Sequence, residues 1–128
     1  ERFQQFLSFL VVPETVITYV PMYRGKEKQR GFNQAEFFAR EVARMVDKEP
    51  ISLVQKIIDT KPQSDVPKED HSQNVKDAFA AKSGVEGTSR AVLVDDAWMT
   101  GATMKECCKV LKRAGVKEVW GFTLARLP

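Results

Sequence analysis

Two adjacent aspartates, Asp95 and Asp96, follow the apolar run Ala91-Val92-Leu93-Val94, and Asp96 stands four residues ahead of the segment Thr100-Gly101-Ala102-Thr103. A buried strand that ends in two carboxylates delivers them to the C-terminal edge of a sheet, where open α/β sheets bind their ligands. The Thr-Gly-Ala-Thr turn then opens a helix. Unpaired N–H groups at such a start, with the hydroxyls of Thr100 and Thr103, suit a phosphate. Gly101 lets the backbone approach that phosphate closely. Two carboxylates beside an anion cradle would repel the ligand unless they accept hydrogen bonds from sugar hydroxyls while Mg2+ screens the charge. A ribose carrying a 5-phosphate presents both kinds of group. The competing reading is that Asp95 and Asp96 only cap a turn. The Walker pattern and the dinucleotide Gly-x-Gly-x-x-Gly pattern are both missing from the chain.

A second charged feature lies upstream. From Arg24 to Arg30 there are four basic residues and one acidic, Glu27, for a local net charge of +3. Such charges stabilise a departing pyrophosphate as its bond breaks. They would equally serve nucleic-acid phosphate, with Tyr23 or Phe32 stacking a base, or form only a solvated loop. His71 is the only histidine, and it lies in a polar stretch, where the readings are a surface residue or a closing-loop contact to pyrophosphate. Trp98 either packs beneath the phosphate loop or offers an apolar face to an acceptor. Trp120 is expected in the core.

The elements that must hold these groups follow from periodicity. Phe3, Phe6, Leu7 and Leu10 recur at helical spacing, so the first ten residues read as an amphipathic helix. Thr15 to Val20 is β-branched and aromatic and forms the first strand. Residues 22–32 read as a polar loop. Asn33 followed by Glu36 resembles a capping box, and Phe38, Val42, Met45 and Val46 give the next helix its apolar stripe. Ile51 to Ile58 is read as a strand, and Thr60 to Asn74, rich in charge and poor in apolar residues, as a mobile lid-like loop. Ala78 to Ala80 reads as a short strand, and Gly84 to Ser89 as a turn. Ala91 to Val94 is a central strand, and a helix from Ala102 to Ala114 ends at Gly115 as a left-handed cap. Val119 to Leu124 is the last strand. Alternating strands and helices predict an α/β fold with a mainly parallel sheet.

At 128 residues the chain fits one domain, residues 1–128. A net charge of +3 permits an anionic partner without demanding nucleic acid. No apolar run approaches the roughly 20 residues of a membrane span, and no leader-like segment opens the chain, so membrane insertion is not expected. Cys107 and Cys108 adjoin on one helix, where neighbouring side chains diverge. Reduced packing cysteines and a cytoplasmic location follow.

The run Val-Leu-Val-Asp-Asp-x-x-x-Thr-Gly-Ala-Thr, residues 92–103, resembles the phosphoribosyl pyrophosphate loop of type I phosphoribosyltransferases. Arg30-Gly31-Phe32-Asn33-Gln34-Ala35, Gln63, Asn74 with Ala78-Phe79, and Thr123-Leu124-Ala125-Arg126 more narrowly resemble the amidophosphoribosyltransferase-like ComF competence family. The resemblance spans about Tyr19 to Arg126. It implies a type I phosphoribosyltransferase-like fold, and a phosphoribosyl pyrophosphate or other 5-phosphoribosyl ligand held with Mg2+. Asp95 and Asp96 would grip the ribose hydroxyls and serve catalysis, with Ala97, Met99, Thr100, Gly101, Ala102 and Thr103 around the 5-phosphate. Tyr23, Arg24, Gly25, Lys26, Arg30 and Gly31 would form the pyrophosphate loop, and Gln63, His71 and Asn74 the closing loop. Mg2+ would arrive through the ligand, with Asp95 and Asp96 nearby rather than as a protein cage. The resemblance also implies a role in DNA uptake, with single-stranded DNA or DNA-uptake proteins as alternative partners, and is compatible with a homodimer. Three features depart from the family pattern. Met99 precedes Thr100 where threonine is common, His71 stands where arginine is usual, and these residues include no cysteine zinc module.

Overall fold

The computed structural model describes residues 1–127. Along the chain run α1 (Arg2–Val11), β1 (Thr15–Tyr19), α2 (Arg24–Arg30), α3 (Gln34–Met45), β2 (Val54–Lys56), α4 (His71–Val75), β3 (Phe79–Ala81), β4 (Arg90–Trp98), α5 (Ala102–Arg113) and β5 (Glu118–Arg126). Three strands form a parallel sheet in the order β1-β4-β5, and β2 and β3 pair antiparallel as a separate ribbon. The expected α/β fold is therefore present.

Side chains alternate across the central strand, and each face finds its own partners. Val92 and Val94 pack with Phe6, Phe9 and Leu10 of α1 and Ala39, Val42 and Ala43 of α3. Ala91 and Leu93 pack on the opposite face with Met104, Cys107 and Leu111 of α5 and with Val54, Val75 and Phe79. Both faces of β4 are covered, which is why residues 91–94 are all apolar and all buried. Trp120 is only half-buried and stacks on Phe9 at a centroid distance of 5.6 Å, at the rim of the α1 layer rather than inside it.

Local signals fix the ends of the helices flanking the site. The Asn33 side chain accepts the Ala35 N–H at 3.0 Å and donates to the Val20 carbonyl at 3.1 Å, tying the start of α3 to the end of β1. The expected reciprocal bond from Glu36 is replaced by an i,i+4 pair with Arg40 at 2.8 Å. At the end of α5, Gly115 has φ +109°, and Gly115 N–H→Lys112 O with Val116 N–H→Leu111 O, both 3.1 Å, complete a Schellman motif.

Several expected elements differ. Residues 24–30 form a helix rather than a loop, closed by Gly31 in the left-handed region at φ +88°. None of its residues is buried, so it carries no apolar stripe to betray it. Met45 is 73% exposed, and the inner stripe of α3 consists instead of Ala35, Ala39, Val42 and Ala43. The strand expected over 51–58 shrinks to Val54–Lys56, because the chain changes partners along it. The Ile51 N–H bonds the Ile17 carbonyl of β1 at 2.8 Å, whereas Val54–Lys56 pairs with β3. Between Thr60 and Asn74 the chain forms two short 3-10 turns and the start of α4 rather than an irregular loop. β4 runs on to Trp98, so Asp95 and Asp96 stand on the strand itself, and Asp95 pairs in register with Thr123.

Candidate phosphate and sugar site

The site grows from the end of β4. Asp95 continues the α5-facing register of Ala91 and Leu93, and Asp96 the opposite one. The chain then passes Ala97, Trp98 and Met99 and turns through Thr100 and Gly101 into α5. A cavity of about 170 Å³ is lined by residues 95–104 together with Gln63 and His71. All eight residues expected around the phosphoribosyl group thus share one concave surface, and two of the three closing-loop residues join them. Both acids line this cavity from the strand end.

Gly101 is required at its position. Its φ is +83°, and a Cβ there would lie 2.3 Å from the Trp98 ring. Trp98 therefore packs against the turn, and it also lines the cavity. The first intrahelical hydrogen bond of α5 runs from Lys105 N–H to Gly101 O at 2.9 Å. The N–H groups of residues 102–104 precede that bond, and with the positive end of the helix dipole they favour an anion.

Asp95 carries the main electrostatic feature. Its Oδ1 accepts the Asp96 N–H at 2.8 Å. Burial, and then the adjacent Asp96 carboxyl group, push its pKa up to about 8, while Lys56 acts in the opposite direction. Lys56 itself is lowered from the usual lysine range, first by burial and then by Lys26. Lys56 is not legible in the sequence. It lies on the short ribbon strand β2, and nothing in its local pattern connects it with Asp95.

The closing segment docks through the hydroxyls of the turn. His71 is 2% exposed, contrary to a surface placement. Its Nδ1 lies 2.9 Å from Thr100 Oγ1 and its Nε2 2.9 Å from the Val66 carbonyl oxygen. Gln63 Nε2 lies 3.4 Å from Thr103 Oγ1. Asn74 does not line the cavity. It donates from Nδ2 to Gln63 Oε1 at 2.7 Å and to the Lys61 carbonyl at 2.8 Å, which orients the Gln63 amide toward Thr103.

The residues expected to hold pyrophosphate divide. Lys26 and Arg30 reach a neighbouring cavity of about 600 Å³, whose wall also includes Lys56, Lys61, Gln63 and Thr103. Lys26 pairs with Asp59 at 3.1 Å and donates to the Thr60 carbonyl at 3.1 Å. Arg24 and Gly31 lie with Glu27 and Lys28 along a separate shallow surface. The ring of Tyr23 packs 3.5 Å from the position of a Cβ on Gly25, and neither residue lines the basic cavity. The two cavities share Gln63 and Thr103, so the basic wall adjoins the turn directly.

No group of three or more His, Cys, Asp or Glu side chains among the described residues could hold a metal ion. Mg2+ needs only one or two carboxylates when ligand phosphates complete its shell. The paired aspartates fit that limited role. Among the described residues no helix is long and apolar enough to cross a membrane.

The sequence matches the phosphoribosyl transferase domain over residues 29–126. It is 34% identical over 120 residues to competence protein F of Haemophilus influenzae, covering 91% of this chain and 52% of that protein. It is 28% identical over 121 residues to the DNA utilization protein YhgH of Escherichia coli K12, covering 91% and 51%. A 48-residue stretch is 44% identical to competence protein ComFC of Streptococcus pneumoniae, covering 38% of this chain and 22% of that protein. The chain thus spans about half the length of the first two relatives. No solved structure matches it significantly. The chain belongs to the phosphoribosyl transferase domain family, as a type I phosphoribosyltransferase-like protein of the ComF group.

Proposed function

We propose that this domain binds phosphoribosyl pyrophosphate with Mg2+ and is built to transfer its phosphoribosyl group to an acceptor, as part of a cytoplasmic ComF-type protein. The observation that carries this reading is the single cavity shared by Asp95, Asp96 and the Thr100–Thr103 turn. In it, the carboxyl groups of Asp95 and Asp96 accept hydrogen bonds from the ribose hydroxyls. Thr100, Thr103 and the first N–H groups of α5 hold the 5-phosphate. Lys26, Arg30, Lys56 and Lys61 receive the pyrophosphate in the adjoining cavity. Bound Mg2+ supplies charge screening that makes pyrophosphate a better leaving group.

In this reading the protein forms no covalent bond to the sugar. An acceptor attacks the anomeric carbon, the bond to pyrophosphate breaks, and the departing oxygen takes the electron pair. The chain contributes fixed charges around the oxocarbenium-like state, which is where preorganised electrostatics are most effective. Lysines from α2, β2 and the segment after β2 place positive charge on the leaving-group side, and carboxylates stand on the sugar side. The test is pyrophosphate release from phosphoribosyl pyrophosphate in the presence of Mg2+ and candidate acceptors, with Asp95→Asn/Asp96→Asn as the control. Release abolished by the double variant supports the reading. Tight binding with no release under any acceptor restricts it to ligand sensing.

A second reading is a DNA-handling accessory without turnover. The names of the relatives, competence protein and DNA utilization protein, favour it. So do the basic residues of α2 and the 53% exposed ring of Phe32, which suits stacking on a base. It predicts single-stranded DNA affinity that falls steeply with salt and weakens when Arg24, Lys26, Lys28 and Arg30 are neutralised. Salt-insensitive or undetectable binding removes it.

A further inference from the structure

The hydrogen bonds around His71 have a direction, and that direction creates a conflict at Thr100. The Val66 carbonyl can only accept, so His71 Nε2 is the donor of that pair. A neutral imidazole then has its second nitrogen, Nδ1, as an acceptor. The partner at 2.9 Å, Thr100 Oγ1, must donate its one hydrogen to it. A phosphate dianion offers only acceptors. While His71 is neutral, the hydrogen that Thr100 would give to a phosphate is already used.

Thr103 has no such conflict. Asn74 Nδ2 donates to Gln63 Oε1, so Gln63 presents its NH2 group to Thr103 Oγ1. That hydroxyl accepts from Gln63 and keeps its own hydrogen for a ligand. The two threonines of one turn are therefore preset in opposite senses by two residues of the same closing segment.

Resting on the reading of residues 95–103 as a 5-phosphate site, we propose that His71 and Thr100 form a proton-coupled phosphate subsite. When a phosphomonoester dianion settles on the turn, His71 takes up a proton from solvent at Nδ1. The His71–Thr100 hydrogen bond reverses, with Nδ1–H donating to Oγ1, and the Thr100 hydroxyl turns its hydrogen to the phosphate. The imidazolium places a positive charge one hydroxyl away from the dianion, in a buried position where screening by water is weak. His71 is a positioning residue in this scheme, because it acts on the ligand through Thr100.

Other titratable groups lie in the cavity or on the elements next to it. Asp95 and Asp96 line it, Asp65 and Lys68, Glu69 and Asp70 sit on the adjacent turns, and Lys105 and Glu106 lie on the first turns of α5. The carboxylates favour the charged ring and the lysines oppose it. Because Asp95 titrates as well as His71, the pH dependence of overall affinity mixes two steps. A signal specific to one residue is needed.

The chain supplies one, since His71 is its only histidine. Ribose 5-phosphate is titrated into 15N-histidine-labelled protein at pH 7.5, and the two ring nitrogens are followed by NMR. The expected free state is the neutral Nε2–H tautomer, with widely separated nitrogen resonances. On saturation the resonances converge to those of an imidazolium. In Thr100→Val, which removes the hydroxyl with little change in volume, the ring stays neutral when ligand is added. If that variant does not fold, the wild-type titration decides alone. The proposal is overturned if the ring remains neutral while backbone amides of residues 95–104 report saturation, or if the free ring is already the Nδ1–H tautomer. If those amides do not respond to ribose 5-phosphate at all, the phosphate-site reading fails first and the proton coupling falls with it.

Discussion

The indole of Trp98 occupies the space that any side chain on Gly101 would need, with a Cβ at that position 2.3 Å from the ring. The tryptophan is thereby a template for the turn: it holds Gly101 at φ +83° while residues 102–104 start the helix. Gly101→Ala adds both a steric overlap and a left-handed backbone that alanine disfavours. We expect a loss of about 1–3 kcal/mol in denaturant unfolding and a larger loss of affinity for ribose 5-phosphate. Pairing it with Trp98→Ala should recover part of the stability but not the affinity, because the turn loses its template.

Asp95 predicts a pH-dependent stability with a definite sign. Burial, followed by its contact with Asp96, raises its folded-state pKa to about 8, well above the ordinary carboxylate value. The folded protein therefore holds a proton that the unfolded chain has released. The stability that this proton confers is complete below about pH 4 and is lost progressively as pH rises through about 8. Asp95→Asn mimics the protonated form and is expected to melt higher than wild type, with a gap that opens between about pH 4 and pH 8 and then stays constant. Melting curves of both proteins across that range, without ligand, check it. A gap that closes with rising pH contradicts the assignment.

Asn33 joins the end of β1 to the start of α3 through two hydrogen bonds from one side chain. Asn33→Ala removes the helix cap and leaves the Val20 carbonyl without its side-chain partner at a buried position. The expected cost is about 1–3 kcal/mol in chemical denaturation, of which the cap accounts for about 1. Asn33→Ser should retain most of the capping part.

The basic cavity makes a separate prediction. Arg30→Gln combined with Lys56→Gln should weaken inhibition by pyrophosphate about tenfold or more, since a hydrogen bond to a charged group is worth about 1.5–3 kcal/mol. Ribose 5-phosphate, whose phosphate the proposed function assigns to the other cavity, should lose much less. Competition titrations with each anion separate the two subsites. Equal loss of both would mean that the cavities are not assigned to different phosphates.

Legibility in the sequence followed the range of the forces involved. The aspartate pair at the end of an apolar strand, the asparagine cap of α3 and the glycine closure of α5 are local devices, each readable from a few adjacent residues. The helix α2 was hidden because Arg24–Arg30 buries nothing, and periodicity detects only helices with an apolar side. His71 was hidden for the opposite reason. Its neighbours Asp70, Ser72 and Gln73 are polar, yet it is buried, with its ring nitrogens held by the Val66 carbonyl and by Thr100, 29 residues away in the chain. Lys56 influences Asp95 only because the fold brings residues 39 positions apart in the chain near each other. Tertiary contact, rather than residue type, completes the site.

Binding of phosphoribosyl pyrophosphate at Asp95 and Asp96 is read most directly from stability against ligand. Unfolding by denaturant is followed with phosphoribosyl pyrophosphate at about 100 times its dissociation constant, with and without Mg2+, in wild type and in Asp95→Asn/Asp96→Asn. Wild type with Mg2+ should gain about 2.7 kcal/mol, and the double variant should lose that gain. An unchanged unfolding midpoint for wild type at millimolar ligand with Mg2+ present would contradict it.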